Sequence, residues 1–373
     1  MRIKKAYKSL LGTVERAPEK IESTKTKVAE LRAIRKKGPI YRDIQWSKEQ
    51  KEEFDSFWLE NYGRRISNRW HKLYQAMSGE FCVNYLPEML FSTKIEPMMN
   101  DRVYARVFED KSILETLSSG CECIVPETIF VRSAAQYYDA DRFPISETEA
   151  INRMRYAGRV VLKPTTGSSS GKGICFLDMK DEFGPDDKAA LESMGQDFIV
   201  QKCIKPHPVF AALNASSINT IRLITYICDD KIFHAPIALR IGRSKSNVDN
   251  IHAGGLVVGV KDNGQLVESA YELGYGDQSI KYSNHPDRNV RFADVILPQV
   301  PSVIRAGCQL HGRFPHIGII SWDFTVDQDD NVVLVEANIK GQSVWFPQIV
   351  HGKGIFCEQT KSVLQRLMDA EGR

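Results

Sequence analysis

The spacing of apolar residues along the chain changes near residue 110, from a helical period to short β-type runs. In segment 48–79, Phe54, Phe57 and Trp58 share one helical face, and Gly63 is placed to end that helix. A second helix is predicted from Trp70 to Met77. The aromatic series Phe54, Phe57, Trp58, Tyr62, Trp70 and Tyr74 is expected in a core. Further upstream, Ile3, Tyr7, Leu10, Leu11 and Val14 recur at helical spacing with Lys4, Lys5 and Lys8 alongside.

Beyond residue 110 the pattern predicts strands at 122–131 (broken by Pro126), 158–163, 173–177, 197–203, 219–228, 232–240, 255–260, 316–327 and 331–337. Helices are predicted at 111–118, 146–157, 186–194, 297–310 and 357–369. Strands and helices do not alternate regularly, so the expected class is α+β with mostly antiparallel pairing.

The last two strands form the most informative pattern. In Ser321-Trp-Asp-Phe-Thr-Val-Asp-Gln-Asp-Asp-Asn-Val-Val-Leu-Val-Glu-Ala-Asn338, apolar and polar residues alternate around a turn. Centring that turn on Asp329 and Asp330 sets Asp323 opposite Glu336 and Ser321 opposite Asn338. Asp323, Glu336 and Asn338 then share one face, and Trp322, Phe324, Val326, Val333 and Val335 the other. Directly opposed carboxylates repel across paired strands, and a cation relieves that repulsion. Two carboxylates and an amide oxygen make an all-oxygen set suited to Mg²⁺. A solvated acidic hairpin is the competing account.

Composition adds limits. At 42% hydrophobic and 26% charged, the 373-residue chain reads as globular, with no apolar run of the roughly 20 residues that cross a bilayer. No secretory leader is read at its start. Eight scattered cysteines without paired CxxC motifs suit reduced thiols in a cytoplasmic setting. The net charge of +3 is uneven: residues 1–40 hold twelve Lys/Arg against four Asp/Glu. This basic arm suits either an anionic membrane face or a helix docked on the protein's own body. Without a comparable basic field elsewhere, no nucleic-acid partner is expected.

The stretch VLKPTTGSSSGKGI (161–174) delivers Lys163 from a short strand into a Gly/Ser loop. Glycine lets backbone N–H groups approach an anion, and serine adds donors. Walker A fails, because Thr166 stands where its first Gly belongs and Gly173 where its Ser/Thr belongs. The loop pattern differs from GxGxxG as well. Taken alone it reads as a phosphate loop or as a plain surface hairpin.

A strand lysine before a Gly/Ser loop, followed by a hairpin carrying D…E-x-N, resembles ATP-grasp enzymes. The fuller resemblance is to the sugar-transfer-associated ATP-grasp family, found with bacterial capsule and surface-polysaccharide genes. It rests on YGRRISNRWHKLY (62–74), YLPEMLFSTKIEPMMN (85–100), EDKSIL (109–114), VPETIFV (125–131), VLKPTTGSSSGKGI, SSINTIRLITY (216–226), NVDNIHAGG (247–255) and SWDF…VEAN, and covers roughly 41–357.

The resemblance implies an ATP-grasp fold of two α+β lobes gripping ATP, behind an N-terminal helical region. Its expected divisions are a basic arm (1–40), a helical aromatic region (41–110), a lobe with the phosphate lid (111–204), a lobe with the metal site (205–357) and a C-terminal helix (358–373). Lys111 and Lys163 are implied to grip phosphates, with Gly167, Ser168, Ser169, Ser170, Gly171 and Gly173 in a lid. Gln201, Lys202, Cys203 and Ile204 are implied at an adenine-reading hinge. Asn219 and Arg222 are expected on a strand facing the phosphates, with Arg222 and Lys163 catalytic. Arg240, Asn250, His252 and Gly255 line the substrate side, and Asp323, Glu336 and Asn338 hold magnesium, with Glu336 bridging two ions. The chain departs from many relatives at the hinge, where Gln201 and Lys202 replace an acidic residue, and after Asn338, where IKGQSVWF lacks a proline.

The implied activity is carboxylate–amine ligation through an acyl phosphate, with ATP and Mg²⁺ as cofactors. The substrates would be a small-molecule carboxylate and an amine, one of them sugar-linked. A sugar kinase using the same site is the enzymatic alternative. A non-catalytic nucleotide-binding partner protein, docked at the inner membrane face by residues 1–40, is the other.

Overall fold

The computed structural model describes residues 17–167, 173–179, 183–244, 246, 248–251, 254–273 and 279–372. The amphipathic pattern over residues 3–14 therefore lies outside the described residues, as do Ser168, Ser169, Ser170, Gly171 and His252. Two compact units emerge: residues 1–99 with 343–373, and residues 100–342.

The first unit is helical. Helix Lys48–Tyr62 begins at Ser47, whose hydroxyl accepts from the Gln50 N–H while Gln50 caps in return, and it ends at Gly63 with φ of 70°. Helix Arg69–Ser78 follows and stops at Gly79. Phe54, Trp58, Tyr62, Trp70 and Tyr74 are buried in its aromatic core as the spacing predicts, Phe57 is only half-buried, and Tyr85 and Phe91 join the core unforeseen. His71 sits among these rings, and burial lowers its pKa to about 3, so it is a neutral core residue. The C-terminal segment joins the same unit: the Gln348 side chain bonds both the N–H and the C=O of Leu86. Residues 343–373 thus cluster with the N-terminal helices.

The second unit holds two sheets. The first contains β1 (Thr128–Ser133), β2 (Gln136–Tyr138), β3 (Pro144–Ile145), β4 (Arg159–Pro164), β5 (Cys175–Asp178) and β6 (Phe198–Lys202), in the order β3-β2-β1-β6-β4-β5. Helices Glu147–Ala157 and Pro185–Ser193 cover one face, where Ala150, Met154 and Leu191 meet Phe130, Val160, Leu162, Phe198 and Val200. Alternation along β4 leaves Lys163 on the other face.

The second sheet contains β7 (Ile221–Cys228), β8 (Lys231–His234), β9 (Ile237–Ile241), β10 (Leu256–Val260), β11 (Leu266–Leu273), β12 (Ser279–Tyr282), β13 (Ile319–Val326) and β14 (Val332–Asn338). Its order is β12-β11-β10-β9-β7-β13-β14, with β8 on β7. Helix Val300–His311 packs one face through Val300, Val303, Ala306 and Leu310, against Leu223, Leu239, Ile320, Trp322 and Phe324. The named strand pairs are all antiparallel.

Several expectations change. The single strand expected at 232–240 is two, β8 and β9, separated at Ala235 and Pro236, where proline has no N–H for a ladder. The strand expected at 122–131 begins at Thr128. Ile124 instead bridges Val333 in parallel sense. Segment 111–118 starts as a 3₁₀ turn at Lys111–Ile113 before helix Leu114–Ser118. Strands β2, β3, β11 and β12 were not anticipated, since they are short or carry no clean alternation.

Candidate active site

The hairpin β13–β14 forms the floor of the site. Its turn closes from the Asp327 N–H to the Asn331 C=O, with three residues between them where the sequence suggests two, so the pairing next to the turn is shifted by one residue. Phe324 therefore faces Leu334, not Val335. A bulge after Asp323 then shifts the register, so that Asp323 pairs with Glu336 and Ser321 with Asn338. The bulge absorbs Val335 and turns Glu336 onto the polar face. Leu334 and Ala337 join this core cluster, Val333 is buried outside it, and Val335 is only half-buried.

Asp323, 2% exposed, anchors a buried ion cluster. Arg222, its neighbour on β7, donates from Nε to Oδ1 at 2.7 Å, and Arg240 from β9 donates to Oδ2 at 2.9 Å. Arg240 also donates to the Thr220 hydroxyl at 2.6 Å. Thr220 in turn donates its N–H and O–H to Asp249 Oδ2, each at 2.6 Å. Burial works against the charge of Arg240, but Asp323, Asp249 and Glu336 raise its pKa above the ordinary value. Burial, with Arg240 nearby, lowers that of Arg222 despite Asp323. Arg222 also donates to the Gln342 C=O at 3.2 Å.

The lysines arrive from the other sheet and its approach. Lys111 Nζ donates to Glu336 Oε1 at 2.8 Å, and its own N–H donates to the Thr165 C=O. Lys163 Nζ donates to Gln201 Oε1 at 3.2 Å. Burial, followed by the adjacent Lys111 charge, lowers the Lys163 pKa to about 8. Two like charges sharing a buried face call for an anion between them.

The oxygen set fits a hard cation. Asp323, Glu336 and Asn338 come from adjoining strands and share a face, and Asn338 Nδ2 stands 3.4 Å from Asp323 Oδ2. Among the described residues no three His, Cys, Asp or Glu side chains are grouped for a metal, so a cation held on this face would need the Asn338 amide oxygen beside the two carboxylates. Asp323 Oδ1 and Glu336 Oε1 each accept one hydrogen bond, from Arg222 and Lys111, and so keep a second lone pair, whereas Asp323 Oδ2 is shared among Arg240, Arg222 and Asn338.

The remaining residues divide. Asn219 does not reach this face: its amide donates to Phe210 O and Asn214 O and accepts from Ser217 and Gly242, all within the protein. It is fully buried, with φ of 51°. The N–H groups of Lys202 and Cys203 already donate to Glu127 O and Arg159 O, and the Lys202 side chain pairs with Glu127. Gln201 acts through its side chain, which bridges Lys163 and the Pro126 C=O. Gly255 closes the Asp249 loop: a Cβ there would lie 2.8 Å from Asn250 O and 2.9 Å from Asp249 O. Gly167 and Gly173 both adopt left-handed φ, 71° and 76°.

Sequence reasoning missed Thr220, Asp249, Gln342 and Glu109. Glu109 Oε1 accepts the N–H groups of Ile339 and Lys340, each at 2.9 Å, just after Asn338. The motifs EDKSIL and NVDNIHAGG already contained two of the four.

The model of the sugar-transfer-associated ATP-grasp family matches residues 90–364, about three quarters of the chain. The chain belongs to this family. No curated protein matches the chain in sequence. Among solved structures, this ATP-grasp protein is similar to an ADP complex of N5-carboxyaminoimidazole ribonucleotide synthetase, at 13% identity and a TM-score of 0.40, covering 68% of this chain and 53% of that one. It is similar to the biotin carboxylase of Campylobacter jejuni bound to a β,γ-substituted ATP, at 13% identity and a TM-score of 0.43, covering 74% and 49%. It is also similar to the VanG D-Ala:D-Ser ligase of Enterococcus faecalis, at 14% identity and a TM-score of 0.41, covering 72% and 63%. The chain thus spans less than two thirds of each of these structures.

Proposed function

We propose that this protein is an ATP- and Mg²⁺-dependent ligase that joins a carboxylate to an amine through an acyl phosphate, releasing ADP and phosphate. One observation carries the reading. The Lys111–Glu336 pair, with Lys163 beside it and Asp323 opposite Glu336, brings two ammonium groups and two carboxylates together on one face.

Mg²⁺, held by Asp323, Glu336 and Asn338, would neutralise phosphate charge and leave coordination positions for phosphate oxygens. Lys111 and Lys163 bind and orient the nucleotide phosphates. Arg222 stabilises the negative charge that develops on the transferring phosphoryl group. The substrate carboxylate attacks the γ-phosphorus and ADP leaves. An amine then attacks the acyl carbon, phosphate leaves, and the amine gives up a proton. Arg240, Asn250, His252 and Gly255 line the substrate side in this reading, and residues 167–173 close over the phosphates to exclude water. The match to a sugar-transfer-associated family supports a sugar-linked carboxylate or amine in polysaccharide biosynthesis, in a cytoplasmic setting.

The test is nucleotide turnover by purified protein with Mg-ATP, pooled amino acids and pooled uronic acids. ADP plus phosphate that requires both pools is the expected result. AMP sinks the acyl-phosphate route, and ADP without free phosphate replaces the ligase by a kinase. Glu336→Gln is expected to lose at least about 100-fold in turnover while keeping its fold, since an oxygen ligand and the Lys111 pair are weakened together.

A further inference from the structure

Helix Ala17–Lys36 lies on its own unit with its polar side inward. It packs against helix Glu88–Leu90 and the π-helical turn Phe91–Ile95. The residues turned toward them include Glu22, Ser23, Thr26 and Glu30, and burial raises the pKa of Glu30 above its usual range. Only Ile34 of its large apolar side chains is buried.

Ile21, Val28 and Leu31 instead point to solvent, 57%, 40% and 42% exposed. An amphipathic helix normally buries such a stripe against the core. The same outward face carries Lys25, Lys27, Arg32, Arg35 and Lys36, all exposed, and between Ile21 and Lys36 it has no acidic residue. Both carboxylates in that span, Glu22 and Glu30, are on the packed side. Charge is therefore segregated, with cations and apolar side chains together on the free face.

Residues 1–40 hold twelve Lys/Arg against four Asp/Glu. No helix among the described residues is long and apolar enough to cross a membrane, so this one would lie on a surface.

We propose that the outward face of residues 17–36 is a docking surface for an anionic lipid bilayer, with Ile21, Val28 and Leu31 entering the headgroup boundary and the flanking lysines and arginines meeting lipid phosphates. The chemistry matches both halves of that partner. A nucleic acid would satisfy the cations and leave the apolar stripe in water. The proposal stands independently of the ligase reading, because none of these residues belongs to the candidate active site.

The experiment is sedimentation of the full chain with sucrose-loaded vesicles, either pure phosphatidylcholine or containing about 30% phosphatidylglycerol. Two variants accompany it: Ile21→Ser/Val28→Ser/Leu31→Ser, and Lys25→Gln/Arg32→Gln/Arg35→Gln/Lys36→Gln. Wild type is expected to sediment with the anionic vesicles and stay in solution with the neutral ones. Each variant should bind the anionic vesicles at least about tenfold more weakly. Because the altered side chains are exposed, circular dichroism and nucleotide binding should be unchanged, which separates lost docking from lost folding. Wild type remaining in solution with both vesicles overturns the proposal. So does full retention of binding by the serine variant, which would reduce the contact to charge alone. Tight binding of a homopolymeric RNA without vesicle binding would replace the bilayer by nucleic acid.

Discussion

At the scale of single residues, the site is governed by how buried charges are compensated. Asp323 satisfies two guanidinium groups at once, so removing it leaves both without their main partner, the kind of loss that costs about 3–5 kcal/mol in buried pairs. Lys163 has no carboxylate of its own and leans on the Gln201 amide oxygen. Its pKa of about 8 predicts a pH dependence with a defined sign. In the free protein the ammonium loses its proton as pH rises through 8, whereas bound phosphate favours the charged form. Affinity for Mg-ADP should therefore weaken above pH 8, by up to about tenfold per pH unit. Lys163→Arg, which stays protonated, should flatten that decline. Calorimetric titration from pH 7 to 9.5 checks it, and identical profiles for the two proteins would refute the role. Stability runs the other way: the unfolded lysine keeps its proton to higher pH, so this group's penalty is full below 8 and is relieved as pH rises beyond it. The lysine itself was legible from its place before the Gly/Ser loop. The lowered pKa was not, because it depends first on burial by the folded chain and then on Lys111, 52 positions earlier in the chain.

At the scale of elements, the decisive feature is the β13–β14 hairpin. Alternation in the sequence identified the two strands and the Asp323–Glu336 pair, although the turn has three residues where two are expected. Two compensating details, the one-residue shift at the turn and the bulge, restore the pairing. Without the bulge, Glu336 would face Trp322 on the core side. Buried amides then hold the far end of the hairpin. Asn100 donates to Ile319 O at 2.8 Å and Ile339 O at 2.7 Å, and accepts from the N–H groups of Gly318 and Ile319. Gln342 also donates to both carbonyls, so Asn100→Ala orphans chiefly the two N–H groups. A destabilisation of about 2–4 kcal/mol is expected, read as a lowered midpoint in thermal denaturation. An unchanged midpoint would show that the clamp does not hold the hairpin. Nothing in the local sequence of Asn100 marks this role, since all of its partners lie more than 200 residues away.

For the whole molecule, the second unit brings a lysine-bearing sheet and a carboxylate-bearing sheet to one site, and the first unit builds a separate aromatic core. Nucleotide binding should therefore stabilise the protein only when the metal bridges phosphate and carboxylates. Mg-ADP at about 100 times its Kd should add about 2.7 kcal/mol. Chelation with EDTA should remove most of the resulting rise in Tm, and an equal rise with and without Mg²⁺ would exclude Asp323, Glu336 and Asn338 as the bridge. The sequence by itself determined the α+β class, the aromatic helices, the strand lysine and the carboxylate hairpin, because each is written in local spacing of a few residues. Tertiary structure alone decided that Asn219 organises backbone while Thr220 and Asp249 support Arg240, and that Gln201 acts through its side chain. It also decided that residues from 343 onward join the N-terminal helices, and that helix 17–36 turns its apolar stripe outward. These outcomes depend on which distant groups compete for the same hydrogen bonds and the same buried space, and no local period along the chain encodes that competition.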